Sequence, residues 1–119
     1  MTYVLLIYQG STPLPGSDEW EALSPGEQKA IYADYGALNQ TPGVTPGPPL
    51  GLPEQATTVR VEGGQTVAAE GPYAGVKEAV GGYFVLEADD LDAAIALAAR
   101  VPAARLGGAI EIRPVQKYW

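Results

Sequence analysis

The first strand-like segment of this chain constrains its fold most strongly, because it is apolar on both of its faces. Residues 3–8 read Tyr-Val-Leu-Leu-Ile-Tyr, and the run ends at Gly10. Successive side chains of a strand point to opposite sides of a sheet, so a half-exposed strand would alternate apolar and polar residues. The unbroken apolar run therefore predicts a central strand of a sheet.

A helix is predicted to begin at Pro25. Ser24 and Glu27 have the spacing of a capping box, and proline suits the first helical position. The apolar positions that follow recur at i, i+4 and i+7 and predict one buried face, formed by Ile31, Tyr35 and Leu38. Upstream, residues 18–23 predict a short helical turn with two apolar anchors, Trp20 and Leu23.

A second helix is predicted after residue 90. Asp89 or Asp90 can cap it, and Asp92 is favourably placed in its first turn. Arg100 suits its carboxyl end, and Pro102 is expected to stop it. Its apolar stripe is predicted to consist of Leu91, Ala94, Ile95 and Ala98.

A β-hairpin and an irregular segment are predicted between the two helices. Residues 57–61 and 66–69 have strand composition and flank a glycine-containing turn at residues 62–65. Proline and glycine dominate residues 41–53, which excludes a regular helix there. That segment is predicted to be a loop or an irregular edge strand.

Two further strands are predicted near the second helix. Residues 83–88 have strand composition and follow Gly81 and Gly82, which are interpreted as turn glycines. Residues 109–113 alternate apolar and charged side chains, which is typical of a half-exposed strand.

The order of these elements predicts an α+β fold in a single domain, residues 1–119. Without the hairpin, the order is the split βαβ layout of ferredoxin-like domains. Two helices would cover one face of the sheet and leave the other face bare. A bare apolar face of that size is usually a partner surface, so a homodimer is expected.

Composition excludes several kinds of chemistry. The chain contains neither cysteine nor histidine, so thiol catalysis, disulfides, Cys-ligated metal sites and histidine-based triads are excluded. The acidic residues lack EF-hand spacing. We therefore expect no metal and no cofactor.

The charge balance disfavours two classes of partner. With 14 acidic and 7 basic residues, the formal net charge is −7, which repels nucleic-acid phosphates and anionic membranes. The amino terminus lacks the features of a signal peptide, and its apolar run is too short to cross a bilayer. No nucleic acid, no membrane and a cytoplasmic location are expected.

One loop carries a recognisable motif. Residues 69–78 read Ala-Glu-Gly-Pro-Tyr-Ala-Gly-Val-Lys-Glu, followed by Gly-Gly-Tyr at residues 81–83. This segment resembles the signature of the YCII-related family, and more narrowly its DGPF subgroup, named for Asp-Gly-Pro-Phe followed by Ala-x-x-Lys-Glu. Further similar segments follow the same order along the chain: residues 3–8, 35–36, 90–94, 99–104 and 111–115.

The resemblance implies a dimeric α/β barrel, in which two ferredoxin-like sheets pack face to face. It implies no settled activity, and it associates many DGPF members with ECF-type sigma factors. Two positions depart from the motif, since Glu70 replaces its Asp and Tyr73 replaces its Phe. Some relatives have a proposed His–Asp catalytic pair, which a chain without histidine cannot form, so no catalytic residue is predicted.

The motif loop is the predicted ligand site. It would bind an unknown small polar molecule, because it combines rigid and permissive backbone positions with charges of both signs. The alternative is a purely structural loop in which Lys77 pairs with a carboxylate. The candidate residues are Glu70, Gly71, Pro72, Tyr73, Lys77 and Glu78.

Other residues have two interpretations each. Asp34 could face a cleft or be a solvated flank of its helix. Arg60 and Arg113 could bind a carboxylate, or they could pair with Glu62 or Glu111 across the sheet. Five tyrosines could line a ligand cavity or pack in the core and interface, namely Tyr3, Tyr8, Tyr35, Tyr73 and Tyr83.

Two function classes follow from these residues. The first is a dimeric small-molecule binding or regulatory module. The second is a cofactor-free enzyme that uses carboxylate or tyrosine proton transfer, by analogy with other dimeric α/β barrels. A perturbed carboxylate facing an enclosed cavity would favour the enzyme.

Overall fold

The structure of the chain is a computed structural model that describes residues 1–73, 75 and 79–118. It is a mixed α+β fold with antiparallel sheets, as predicted. In chain order the elements are β1 (Thr2–Tyr8), α1 (Asp18–Glu21), α2 (Pro25–Asn39), β2 (Val44–Pro46), a 3-10 turn (Pro53–Gln55), β3 (Thr57–Glu62), β4 (Gln65–Glu70), β5 (Val80–Glu87), α3 (Leu91–Ala98), α4 (Pro102–Arg105) and β6 (Ala109–Pro114).

The main sheet has four strands in the order β2-β5-β1-β6, and all neighbouring strands are antiparallel. The apolar strand β1 lies inside the sheet, which confirms the predicted central strand. Its side chains alternate between two environments. Tyr3, Leu5 and Ile7 are buried on one face, whereas Val4 and Leu6 are half-buried on the other.

The buried face of the sheet packs against the helices. Side chains of β1 and β5 meet Leu38 of α2 and residues of α3 and α4 in one apolar cluster. The two isoleucines of β6, Ile110 and Ile112, pack against the edge of this cluster and are half-buried. The charged residues of β6 alternate with them and are exposed, which confirms the predicted half-exposed strand.

The predicted helix caps are observed. The Ser24 hydroxyl accepts a hydrogen bond from the Glu27 amide at 3.1 Å, and the Glu27 carboxylate accepts one from the Ser24 amide at 3.2 Å. Asp90, rather than Asp89, caps α3 by accepting from the Ala93 amide. Each of these bonds satisfies an amide that the helix itself leaves without a partner.

The predicted apolar stripe of α3 is wrong in part. Leu91 and Ile95 are 51% and 50% exposed, and Leu97 is buried in place of them. The buried positions of α3 are Ala94, Leu97 and Ala98, and Val101 after its end continues their spacing. Because α3 is apolar on nearly every side, its sequence is compatible with the burial of either face. The burial of Val101 and Ala103, which follow the helix, determines which face of α3 packs against the core.

The end of α3 also differs from the prediction. The helix ends at Ala98, so Pro102 does not stop it; Pro102 instead occupies the first turn of α4. Proline is tolerated there because a first-turn amide has no partner within the helix. The Arg100 guanidinium donates to the Thr41 hydroxyl at 3.3 Å, which links this turn to the chain after α2.

The predicted hairpin is formed by β3 and β4. Gly63 and Gly64 both have positive φ angles, 55° and 77°, as a two-residue hairpin turn requires. Nearly all of its residues are exposed, including Val61 at 70%. In the described part of the chain, the hairpin forms a two-stranded sheet of its own, separate from the main sheet.

The proline-rich segment 41–53 and the Gly81-Gly82 pair also received predictions from the sequence. Residues 41–53 contain a short edge strand, β2, which ends at Pro46 and is followed by a loop. Gly81 and Gly82 were predicted as turn residues, and this is wrong, because both lie inside β5. No helix within the described ranges is both long and apolar enough to cross a membrane.

Candidate functional site

The predicted loop begins where β4 ends. Glu70 is exposed, and Gly71 has a φ angle of +97°, a conformation that favours glycine. The Gly71 amide donates to the Ala56 carbonyl at 2.7 Å, and the Gly71 carbonyl accepts from the Thr58 hydroxyl. Glycine and its hydrogen bonds therefore fix the start of this loop. Lys77 and Glu78 lie outside the described residues.

Part of this loop borders a small cavity. Pro72 and Tyr73 line a space of about 480 Å³, together with Tyr8 and residues of the segment 50–56. Tyr73 is 81% exposed, so it lies at the rim of this space. The predicted loop thus meets a concave surface through two of its six candidate residues.

A larger cavity of about 700 Å³ lies between α2, the carboxyl end of β1 and the segment 46–52. Four of its residues also line the smaller cavity: Leu50, Gly51, Leu52 and Gln55. The larger volume falls within the range of small-molecule sites. The two cavities together run from the helix side of the sheet to the predicted loop.

Glycines in β5 explain why this space is open. Gly82 lies on the same sheet face as Phe84, and its missing side chain leaves room beside Ile7. Gly81 has a different role, because a Cβ atom there would overlap the side chain of Gln9. Gly82 therefore leaves room for the cavity, and Gly81 leaves room for the side chain of Gln9.

A proline-rich wall covers the opposite side. Pro46, Pro48 and Pro49 line the cavity, and proline restricts the backbone to few conformations. The Gly47 amide donates to the Tyr83 carbonyl at 3.0 Å, and the Tyr83 ring lies directly against Gly47. These contacts hold the segment against β5.

Two aromatic pairs contribute to the cavity lining. Trp20 and Tyr32 meet edge to face, with ring centroids 5.2 Å apart, and Tyr35 and Phe84 are stacked at 6.5 Å. The backbone of Trp20 is fixed by two hydrogen bonds. Ser17 caps α1 by accepting from the Trp20 amide, and the side-chain amide of Gln28 donates to the Trp20 carbonyl at 2.9 Å.

Among the polar side chains that line the cavity, which include Asn39 and Gln55, Gln9 is the most deeply buried. This side chain is only 7% exposed, and its Oε1 atom is buried without a hydrogen-bond partner among the described residues. The buried hydroxyl of Thr12 has no partner there either, and both residues line the cavity. Both atoms have almost no accessible surface, so they are enclosed by protein atoms and are not open to a molecule in the cavity.

The cavity is electrically neutral within the described part of the chain. Its lining residues include no Asp, Glu, Lys or Arg. Burial raises the pKa of the Tyr35 phenol, and the positive charge of Arg105 opposes this effect. Arg105 is itself paired with Asp34 outside the cavity lining. The phenol of Tyr35 is therefore a neutral hydrogen-bonding group at physiological pH.

The other charged candidate residues, Asp34, Arg60 and Arg113, each form an ion pair. Asp34 is a half-exposed flank of α2 that pairs with Arg105. Arg60 and Arg113 pair with Glu62 and Glu111, at 3.0 and 3.4 Å. In each pair the two residues are neighbours along one strand, so these contacts do not cross the sheet.

The five tyrosines divide between the two predicted roles. Tyr35 and Tyr83 line the larger cavity, Tyr8 and Tyr73 line the smaller one, and Tyr3 is buried in the core. Gln9 and Thr12 were not predicted. The available signal was the alternation of β1, because Gln9 follows Tyr3, Leu5 and Ile7 at the next inward position.

The described residues hold no group of three or more acidic side chains that could bind a metal ion. In sequence comparisons, the model of the YCII-related domain matches residues 1–118, which include the cavity and the motif loop. The family predicted from the motif is thus confirmed. No curated protein matches the chain significantly.

Proposed function

We propose, from the premise that the chain belongs to the YCII-related family, that it is a small-molecule binding module whose ligand occupies the larger cavity. One observation carries the proposal: the cavity of about 700 Å³ has the size of a small-molecule site, and its described lining contains two aromatic pairs and no charged side chain. Apolar and aromatic walls are typical of such sites, and contact with a ligand removes their surface from water, which favours binding.

The same cavity disfavours the alternative of an acid–base enzyme. That function needs a carboxylate or an ionisable tyrosine that faces the substrate. The described lining contains no carboxylate. Burial raises the pKa of Tyr35 and keeps this phenol protonated at neutral pH, where it donates a hydrogen bond but does not abstract a proton.

The motif loop is proposed to extend the ligand site. Pro72 and Tyr73 border the smaller cavity, which shares residues with the larger one. Glu70 and Gly71 precede them, and the loop continues to Lys77 and Glu78. A ligand longer than the larger cavity would reach this loop through the shared segment 50–55.

The proposal includes assembly as a homodimer of the dimeric α/β-barrel type. A ferredoxin-like arrangement is supported by the strand order, in which β1 lies between β5 and β6 and β2 forms the edge. The sheet face opposite the helices carries half-buried Val4, Leu6, Tyr8 and Val85. A regulatory role in an ECF sigma factor system is the part of the proposal that rests on the resemblance to the DGPF subgroup.

A cavity-filling variant tests the proposed site. A library of small molecules is screened against the wild type by thermal shift, and hits are confirmed by NMR titration. Gly82→Leu places a side chain in the larger cavity and should abolish binding of the hits. Gly36→Leu makes the same change on the exposed side of α2, where a Cβ atom meets nothing within 4 Å, and should leave binding intact. Hits that bind Gly82→Leu as well as the wild type would overturn the site.

A further inference from the structure

The hairpin of β3 and β4 has one apolar side and one polar side. Residues that pair directly across an antiparallel ladder point to the same side of it. One side of the hairpin therefore carries Val59, Val61 and Ala68 in its middle. The other side carries Arg60 and Glu62, which form an ion pair at 3.0 Å. This alternation is typical of strands that bury one side and expose the other.

The apolar side of the hairpin is uncovered in the described part of the chain. Val59 and Val61 are 60% and 70% exposed, and every residue of β4 is exposed as well. Two strands alone are marginally stable in water, and a packed apolar face is what stabilises them. The hairpin thus has the sequence pattern of a covered element, whereas the single chain leaves it bare.

The shape of the chain indicates how much surface a partner would cover. Its accessible surface is 7837 Å², whereas a compact monomer of 12.4 kDa exposes about 6,100 Å². Its radius of gyration is 16.0 Å, compared with about 13.5 Å for a compact domain of this length. The excess of roughly 1,700 Å² matches what one subunit of an obligate dimer buries.

The hairpin is also continuous with the bare face of the main sheet. Tyr8 lies on that face at the end of β1 and pairs with Val80 of β5. Both residues line the smaller cavity together with Ala56 and Pro72, which lie at the base of the hairpin. One surface therefore joins the bare sheet face to the hairpin.

We propose that the hairpin is an arm whose apolar side packs against a second copy of this chain. Each chain presents two uncovered apolar surfaces, the arm and the bare sheet face, and a closed two-fold pair covers both surfaces on both copies at once. The arm contact rests on the proposed homodimer, and it adds to that homodimer a segment outside the main sheet.

Isosteric substitution tests the arm contact in the full chain. The double variant Val59→Thr with Val61→Thr keeps the β-branched shape that favours strands, but it replaces two methyl groups by hydroxyls. We expect the dissociation constant of the dimer, measured by sedimentation velocity over a dilution series, to rise at least about tenfold. Val67→Thr makes the same replacement on the polar side of the hairpin and should leave the constant unchanged. Circular dichroism confirms that both variants are folded.

Photo-cross-linking locates the same contact independently of affinity. The chain has no cysteine, so one introduced cysteine can carry a benzophenone group at a chosen position. Ala68→Cys places this group on the apolar side of the hairpin, and Ala69→Cys places it on the polar side one residue later. In a mixture of isotope-labelled and unlabelled chains, Ala68→Cys should cross-link one chain to another far more often than Ala69→Cys.

The outcomes separate the arm from the rest of the proposal. The arm contact is overturned if the double variant leaves the dissociation constant unchanged, or if Ala68→Cys cross-links partner chains no more often than Ala69→Cys. In those cases a wild type with the mass of two chains would leave the sheet-face dimer standing, whereas a wild type that sediments as a single chain would overturn both. Library hits that Gly82→Leu abolishes would leave the ligand site standing in either event.

Discussion

The contact between Gln9 and Gly81 shows how one residue without a side chain determines the chemistry of a neighbour. The Gln9 side chain occupies the place where any other residue at position 81 would put its Cβ atom. Gly81 therefore serves the buried amide, although the sequence suggested a turn. A Gly-Gly pair beside a strand is compatible with both roles, and the crossing side chain lies more than 70 positions away in the sequence.

Gly81→Ala should therefore destabilise the protein by roughly 1–3 kcal/mol, because the new methyl group overlaps Gln9. The double variant Gly81→Ala with Gln9→Ala should recover most of this loss, since the overlapping atoms are gone. Gly36→Ala is the control, because it lies on an exposed helix surface and should stabilise slightly. The free energy of unfolding in denaturant is the measurement. Equal stability of Gly81→Ala and the wild type would contradict the contact.

Tyr35 gives a prediction about alkaline pH. Its pKa is raised in the folded chain by burial, so the folded state holds the phenol proton more tightly than the unfolded state. Stability is therefore unaffected below the unfolded pKa of about 10 and falls as pH rises above it. Tyr35→Phe should remove part of this fall, as seen by unfolding experiments from pH 8 to 12. A fall of equal size in Tyr35→Phe and in the wild type would contradict this assignment.

At the scale of elements, the sequence predicted what local signals encode. The capping box of Ser24, the hairpin turn at Gly63-Gly64 and the central strand β1 all depend on residues close together in the chain. The buried face of α3 does not depend on nearby residues alone. Apolar residues surround this helix, so tertiary contacts determine which of them are buried. Tyr35 and Tyr83 were among the tyrosines that could line a cavity, but the sequence did not predict where the cavity lies, since its walls come from distant segments that meet only in the fold.

The corrected face of α3 can be checked with two substitutions of similar size. Leu97→Ala removes a buried side chain and should destabilise by about 2–5 kcal/mol. Ile95→Ala removes a half-exposed one and should change stability by less than about 1 kcal/mol. Chemical denaturation monitored by circular dichroism gives both values. The predicted stripe would be reinstated if Ile95→Ala had the larger effect.

At the scale of the whole molecule, the main sheet is covered by helices on one face alone in the described chain. The opposite face has an apolar centre on β1 and β5, with Glu87, Glu111 and Arg113 exposed toward its margins. An apolar centre with a charged rim is typical of a protein interface. In a two-fold dimer through this face, the side chains of each central strand would pack against the sheet of the other copy.

Light scattering at micromolar concentration should accordingly give about twice the chain mass of 12.4 kDa. Leu6→Glu places a charge at the centre of the face and should give the mass of one chain, with circular dichroism confirming that the variant is folded. Ala96→Glu, on an exposed part of α3, should retain the dimer mass. A wild type that scatters as a single chain would remove the barrel from the proposal.

The hairpin of β3 and β4 should open locally more readily than the main sheet. A two-stranded hairpin without a third strand or a helix beside it is marginally stable in water, and its valines face solvent in the single chain. Its backbone amides should therefore exchange with deuterium long before those of β1, through local opening that leaves the main sheet intact. Any partner that covers the hairpin will slow that exchange, so the exchange rates of these amides report contact with a partner at this part of the chain.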